Sequence, residues 1–311
     1  MSHSDLAIIF VPGIRPKPPV PLHTAQLQRC LRAGLLRAGS SAEQADTLVE
    51  GFELVGWSHQ FYGEDGDVSV DLEGIDRLLT DYDSIDADRR AAQSFSRRLD
   101  GILYAISDRL PLLSKLFGTR LMRSRVSEIQ RYFADSDGTA TVARRMVIDA
   151  LNRAWKEGRR VVLIGHSFGS VIAYDALWQL SRLHQNPGRA ELFLTMGSPL
   201  TMRYIRRRLL GARLGGEQRF PANIRHWVNL AAIGEVTALD RKLAVCFAGM
   251  LRMKLVESIA DDLQLVNQFH GPDGLNVHKC YGYLANPAVA RQLLAVISGP
   301  PISGQQQIAP A

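Results

Sequence analysis

The sequence predicts an α/β fold: a mostly parallel sheet with helices on both faces and an inserted helical cap. Three observations carry this expectation. Short β-rich apolar runs alternate with longer stretches of helical period, as in strands joined by crossover helices. The run Val161-Val162-Leu163-Ile164 has no polar alternation, as expected of a central strand buried on both faces. A chain of 311 residues, 46% hydrophobic and 22% charged, can fill one large core, and it excludes fibrous, disordered and disulfide-stapled classes.

Taken in order, strands are expected over residues 7–11, 52–57, 161–164, 192–196 and 226–231. Leu27, Leu31 and Leu35 recur one helical turn apart, as do Val142, Met146, Ala150 and Ala154, so two helices should lay these residues on the sheet. A last helix is expected over residues 287–297. Residues 62–137 do not fit the alternation and read as the cap. Within it Ile102, Leu103, Ile106, Leu110, Leu113, Leu116, Phe117 and Leu121 interleave with Arg109, Lys115, Arg120, Arg123 and Arg125. Pro111 should break this stretch into two helices. Its apolar stripe either covers the core or forms a lid facing acyl chains or a membrane surface. Residues 1–298 thus read as one domain carrying the cap. Residues 299–311, rich in Pro, Gly and Gln without periodicity, read as a flexible tail.

Charge is unevenly spread. Residues 61–88 carry ten acids against Arg77 alone, whereas residues 197–225 carry seven arginines, including Arg203, Arg206, Arg207, Arg208 and Arg213, against Glu217 alone. Such a basic cluster suits anionic lipid or an acidic substrate. No helix-turn-helix, zinc-finger or aromatic RNA-binding signature accompanies it, so nucleic acid is not the expected partner. No apolar run approaches the ~20 residues of a membrane span, and no secretion signal is recognisable. Cys30, Cys246 and Cys280 are far apart and odd in number, so neither a metal pair nor a disulfide framework is expected, and the expected compartment is the reducing cytoplasm.

The chemistry centres on Gly165-His166-Ser167-Phe168-Gly169, which follows the apolar run and precedes Val171, Ile172, Ala176, Leu177 and Leu180 of a helix. This is G-x-S-x-G in strand-turn-helix context, which makes Ser167 the candidate nucleophile. The helix N-terminus offers N–H groups and a positive dipole end to a developing oxyanion. The chain order that accompanies this elbow is serine, acid, histidine. Among later histidines His184 ends a helix and His226 begins a strand. His270 and His278 share a Gly/Pro-rich loop, and His278, followed closely by the last helix, is the preferred base. Glu235, just past the carboxyl end of a strand, is the preferred acid, with Asp240 as its rival. Asp175, two turns into a helix, is assigned a structural hydrogen bond. In Val11-Pro12-Gly13-Ile14 the proline has no N–H, so Gly13 or Ile14 must supply the second oxyanion donor; Ile14 is favoured, with Phe168 as its partner.

These segments, with Met196-Gly197-Ser198-Pro199, Trp227-Val228-Asn229 and the closing His278-Lys279-Cys280-Tyr281-Gly282-Tyr283-Leu284, resemble α/β-hydrolases of the lipase/esterase type. Members of that family often carry His-Gly at the first turn and an aspartate as the acid, where this chain has Pro12-Gly13 and Glu235. The resemblance implies hydrolysis of a small-molecule or lipid-like ester through an acyl-serine, without a cofactor; peripheral contact with anionic membrane is expected from the amphipathic stretch from Ile102 to Leu121 and from Arg203 to Arg213. Thioester hydrolysis or acyl transfer could use the same triad, and a non-catalytic binding protein could use the same fold.

Overall fold

The computed structural model describes residues 5–82, 85–93, 120–235 and 242–299. In chain order β1 (Leu6–Val11) leads to α1 (Val20–Arg37), α2 (Ala42–Glu50), β2 (Phe52–Leu54) and α3 (Trp57–Tyr62). Next come α4 (Ser69–Thr80), α5 (Ile85–Ala92), α6 (Arg120–Ala134) and α7 (Thr139–Lys156), before β3 (Arg160–His166), α8 (Gly169–Arg182) and β4 (Ala190–Met196). Short helical turns at Arg203–Arg206, Leu243–Cys246 and Ala248–Arg252 flank β5 (Ile224–Ala232) and precede β6 (Ser258–Leu265). A small hairpin of β7 (His270–Gly271) and β8 (Gly274–Leu275) leads to α9 (Cys280–Leu284) and α10 (Pro287–Ser298).

The six-stranded sheet has the order β2-β1-β3-β4-β5-β6, every neighbouring pair parallel. Both faces are covered, and the two-residue strand period sorts the side chains. Ala7, Ile9, Val11, Val161 and Leu163 join a core with α7 and α8, while Leu6, Ile8, Phe10, Val162 and Ile164 join a second core with α1, α9 and α10. From β1 the chain crosses to β2 on one side, and β3 then takes the other side. Ligand crevices of open α/β sheets form outside the strand carboxyl ends at such a switch. Here the loop after β1 and the turn after β3 meet.

Local chemistry explains several boundaries. Ser41 caps α2 by accepting the Gln44 N–H at 3.1 Å. Asn286 accepts the Ala288 N–H at 2.9 Å to start α10, Pro287 opens its first turn, and Gly299 closes it in a left-handed conformation.

Some expectations need correcting. The strand expected over residues 52–57 stops at Leu54, because Trp57 begins α3 and its indole turns to donate to the Pro12 carbonyl at 2.8 Å. The stripe expected on α7 is rotated: Val142 is 42% exposed, and Ala143, Val147, Ala150, Leu151 and Ala154 face the core. β6 was not expected at all. It is an edge strand, half exposed and interrupted by Asp261 and Asp262, so it lacks an apolar run. Within residues 62–137 the described elements α4, α5 and α6 are helices. The stretch from Ile102 to Phe117 lies outside the described residues, as do Asp240 and all of the tail beyond Gly299. Among the described residues no helix is long and apolar enough to cross a membrane.

Candidate active site

Ser167 stands one residue beyond β3 with φ +52°, a left-handed conformation rare for any residue but glycine. Two neighbours hold it there. Its N–H donates to the Met196 carbonyl at 2.8 Å, and its own carbonyl accepts the Ser170 hydroxyl at 2.6 Å. The flanking glycines allow the crowding: a β-carbon on Gly165 would lie 2.5 Å from Ser170 Cα, and one on Gly169 would lie 2.5 Å from the Pro12 carbonyl oxygen. Gly13 is pressed against the serine in the same way, a β-carbon there falling 2.8 Å from Ser167 Cβ. This contact sets Gly13, the residue before Ile14, against the serine. Phe168, also expected at the oxyanion position, is the N-cap of α8.

Ser167, His278 and Glu235 come together. His278 Nε2 is 2.8 Å from Ser167 Oγ, and His278 Nδ1 is 2.9 Å from both Glu235 oxygens. A carboxylate only accepts, so Nδ1 carries the proton and donates it to Glu235; Nε2 is then the bare acceptor for the serine hydroxyl. The Glu235 side chain is 3% exposed and that of His278 33%, an acid shielded from water behind a base open to it.

Packing fixes both partners. The Asn267 amide donates to the carbonyls on either side of His278, at Val277 and Lys279, each at 2.9 Å, and Asn276 Oδ1 accepts the His278 N–H at 3.1 Å. Buried His166 sits behind the base. Burial first, then the nearby His278 and Lys17, hold its pKa well below the usual imidazole value, so it is neutral. Its Nε2–H donates to the His278 carbonyl at 2.8 Å. Glu235 is held by Tyr283, whose hydroxyl donates to Oε2 at 3.1 Å and accepts the Ala232 N–H at 2.9 Å. Lys17 stands nearby, donating to the Ile14 carbonyl at 3.0 Å; burial lowers its pKa to about 8.

The other candidates have separate partners. His270 Nε2 pairs with buried Asp88 at 2.9 Å, away from the serine. His226 Nδ1 is 2.8 Å from the Ser258 hydroxyl, and His184 is exposed at the end of α8. Asp175 accepts the Tyr132 hydroxyl at 3.0 Å and the Leu210 N–H at 2.9 Å, the structural role expected of it. Cys30, Cys246 and Cys280 are free thiols. Among the described residues no group of three or more His, Cys, Asp or Glu could hold a metal ion.

No family model, curated protein or solved structure matches this chain. The reading of the site accordingly rests on its own geometry. Sequence reasoning had not singled out Tyr283, Asn267 and His166 as supports. Two of them were in view as neighbours, His166 beside the serine and Tyr283 in the closing segment. Asn267 gives no local sign of this role, because the two carbonyls to which its amide donates lie ten and twelve residues onward.

Proposed function

We propose that this protein is a serine carboxylic-ester hydrolase of the α/β-hydrolase type, acting on small-molecule or lipid-like esters. One observation carries the reading: a serine in left-handed conformation hydrogen-bonded to a histidine whose other nitrogen is held by a buried glutamate. In this mechanism Ser167 Oγ attacks the ester carbonyl while its proton passes to His278 Nε2. The N–H groups of Phe168 and Ile14 receive the oxyanion, and Glu235 stabilises the imidazolium. Collapse expels the alcohol, which takes the proton from His278. Water, deprotonated by the same nitrogen, then releases the acid and restores the serine. The chemistry as written needs no cofactor.

Arg203, Arg207, Arg208 and Arg213 are exposed on the segment that follows β4, and Leu214 and Val245 are exposed as well. They support peripheral contact with an anionic surface.

A panel of p-nitrophenyl esters of increasing acyl length tests the reading. Turnover by the wild type, falling about 10⁴-fold or more in both Ser167→Ala and His278→Ala, is the expected result. Turnover that is absent, or that survives Ser167→Ala, overturns it.

A further inference from the structure

We infer that Tyr62 is a positioning residue for the loop after β1, linking that loop to α6 of the insertion and so setting the direction of the Ile14 N–H. This inference rests on the ester-hydrolase reading for its catalytic consequence, though not for its geometry.

The loop is held at successive peptide groups by side chains from elsewhere. Trp57 Nε1 donates to the Pro12 carbonyl at 2.8 Å, and Lys17 Nζ donates to the Ile14 carbonyl at 3.0 Å. The Arg15 N–H donates to the Tyr62 hydroxyl oxygen at 2.7 Å, and the Tyr62 hydroxyl in turn donates to Glu128 Oε2 at 2.9 Å. Donation to a carboxylate polarises the phenol and makes its oxygen a better acceptor for Arg15. Arg15 needs such a hold, since its φ of +85° is one that residues other than glycine rarely adopt.

Peptide planarity turns these contacts into aim. The Pro12–Gly13 peptide is gripped at its carbonyl, and the Ile14–Arg15 peptide is gripped at both carbonyl and N–H. Between them lies the Gly13–Ile14 peptide, whose N–H is the proposed oxyanion donor. With a fixed plane on each side its direction is set before any substrate arrives, as preorganised oxyanion stabilisation requires. The Arg15 N–H is already committed to Tyr62 and so does not compete for that role.

The anchor of the chain is firm. Tyr62 closes α3, the helix that also carries Trp57, and its ring lies 5.0 Å from Phe61 and 6.4 Å from Trp57. Glu128 and Arg131 are one helical turn apart on α6; Arg131 donates to the Phe61 carbonyl and lies 4.2 Å from the centre of the Phe61 ring. A displacement of α6 is therefore transmitted through Tyr62 to the backbone beside the nucleophile.

The test pairs hydrogen exchange with kinetics on the full chain. In Tyr62→Phe, exchange at the Arg15 amide should quicken about fivefold to tenfold, the scale of one lost hydrogen bond, while β3 and β4 keep their protection. In the same variant kcat for an ester should fall by a similar factor with KM changed less than about twofold, and the inhibition constant of a trifluoromethyl ketone, which forms a tetrahedral adduct, should rise in step. Glu128→Ala should loosen the same amide. Glu128→Gln, whose amide oxygen still accepts from the phenol, should regain most of the protection. Unchanged exchange in Tyr62→Phe beside normal wild-type turnover overturns the inference and leaves the esterase reading intact. Faster exchange in a protein that turns over no ester supports the positioning and removes the esterase reading. A fall in kcat with no weakening of the ketone overturns the link to the oxyanion.

Discussion

Replacing Glu235 by glutamine keeps the side chain's shape and exchanges one acceptor for a donor. Both oxygens of Glu235 are committed, each lying 2.9 Å from His278 Nδ1, while Oε2 also accepts the Tyr283 hydroxyl. Tyr283 therefore biases how a glutamine would sit: its hydroxyl wants an oxygen, which turns the NH₂ group toward Nδ1. That NH₂ favours the tautomer with a bare Nδ1 and a protonated Nε2, and this tautomer cannot accept the Ser167 proton. The opposite orientation keeps the productive tautomer but strips the buried Tyr283 hydroxyl of its acceptor. An amide at the orienting carboxylate of a serine protease lowers kcat by about 10⁴, or about 5.5 kcal/mol at ~1.4 kcal/mol per tenfold step. A loss on that scale is expected here. Steady-state kinetics with a p-nitrophenyl ester, alongside thermal unfolding to confirm the fold, measures it, and Asp240→Asn serves as the comparison. A kcat for Glu235→Gln within about tenfold of wild type would refute the argument, and a large loss in Asp240→Asn would move the role there.

Other consequences can be checked separately. Gly197→Ala would place a methyl 2.9 Å from Glu235 Oε2 and 3.2 Å from His278 Nδ1, on a residue with φ +54°; kcat should drop about tenfold to a hundredfold, and unchanged kinetics would show that the pair can yield. Burial raises the Asp175 carboxyl from 3.8 to about 6. A carboxyl raised in this way binds more protons folded than unfolded, so its penalty is absent at low pH and grows as pH rises from about 4 to about 6. A change of that size is worth about 3 kcal/mol at ~1.36 kcal/mol per pH unit. Urea unfolding at pH 4 and pH 7 should therefore show wild type losing about that much relative to Asp175→Asn, and parallel profiles would contradict the assignment. If the arginines after β4 meet an anionic surface, turnover of medium-chain esters should rise with anionic vesicles and fall with added salt, because exposed charges are screened over ~8 Å at physiological ionic strength. Indifference to both removes the membrane contact.

Much of the sheet was legible because its central strands are buried on both faces, so Val161 to Ile164 and Leu192 to Leu194 announce themselves as unbroken apolar runs. The edge was not. In β6 Asp261 accepts from the Asn229 amide and from the N–H groups of Leu243 and Ala244, so a strand residue serves as a cap for a neighbouring helical turn, and polarity hides the strand. The serine was legible through the local pattern of its turn. His278 and Glu235 were singled out by elimination and by their place beyond strand or loop ends; His278 lies 2.8 Å from Ser167 Oγ and 2.9 Å from Glu235. The residues that aim the site, Tyr283, Asn267, Trp57 and Tyr62, act through contacts distant in sequence. Nothing in their local pattern distinguishes them from ordinary core side chains.

The central claim is that Ser167 is a nucleophile activated by His278. Reaction of the full chain with a fluorophosphonate, followed by mass spectrometry of its peptides, tests this most directly. The account predicts a single phosphonyl adduct on the peptide carrying Ser167, absent in Ser167→Ala and formed about 10³-fold or more slowly in His278→Ala. An unlabelled wild type, or an adduct that persists in Ser167→Ala, would contradict it.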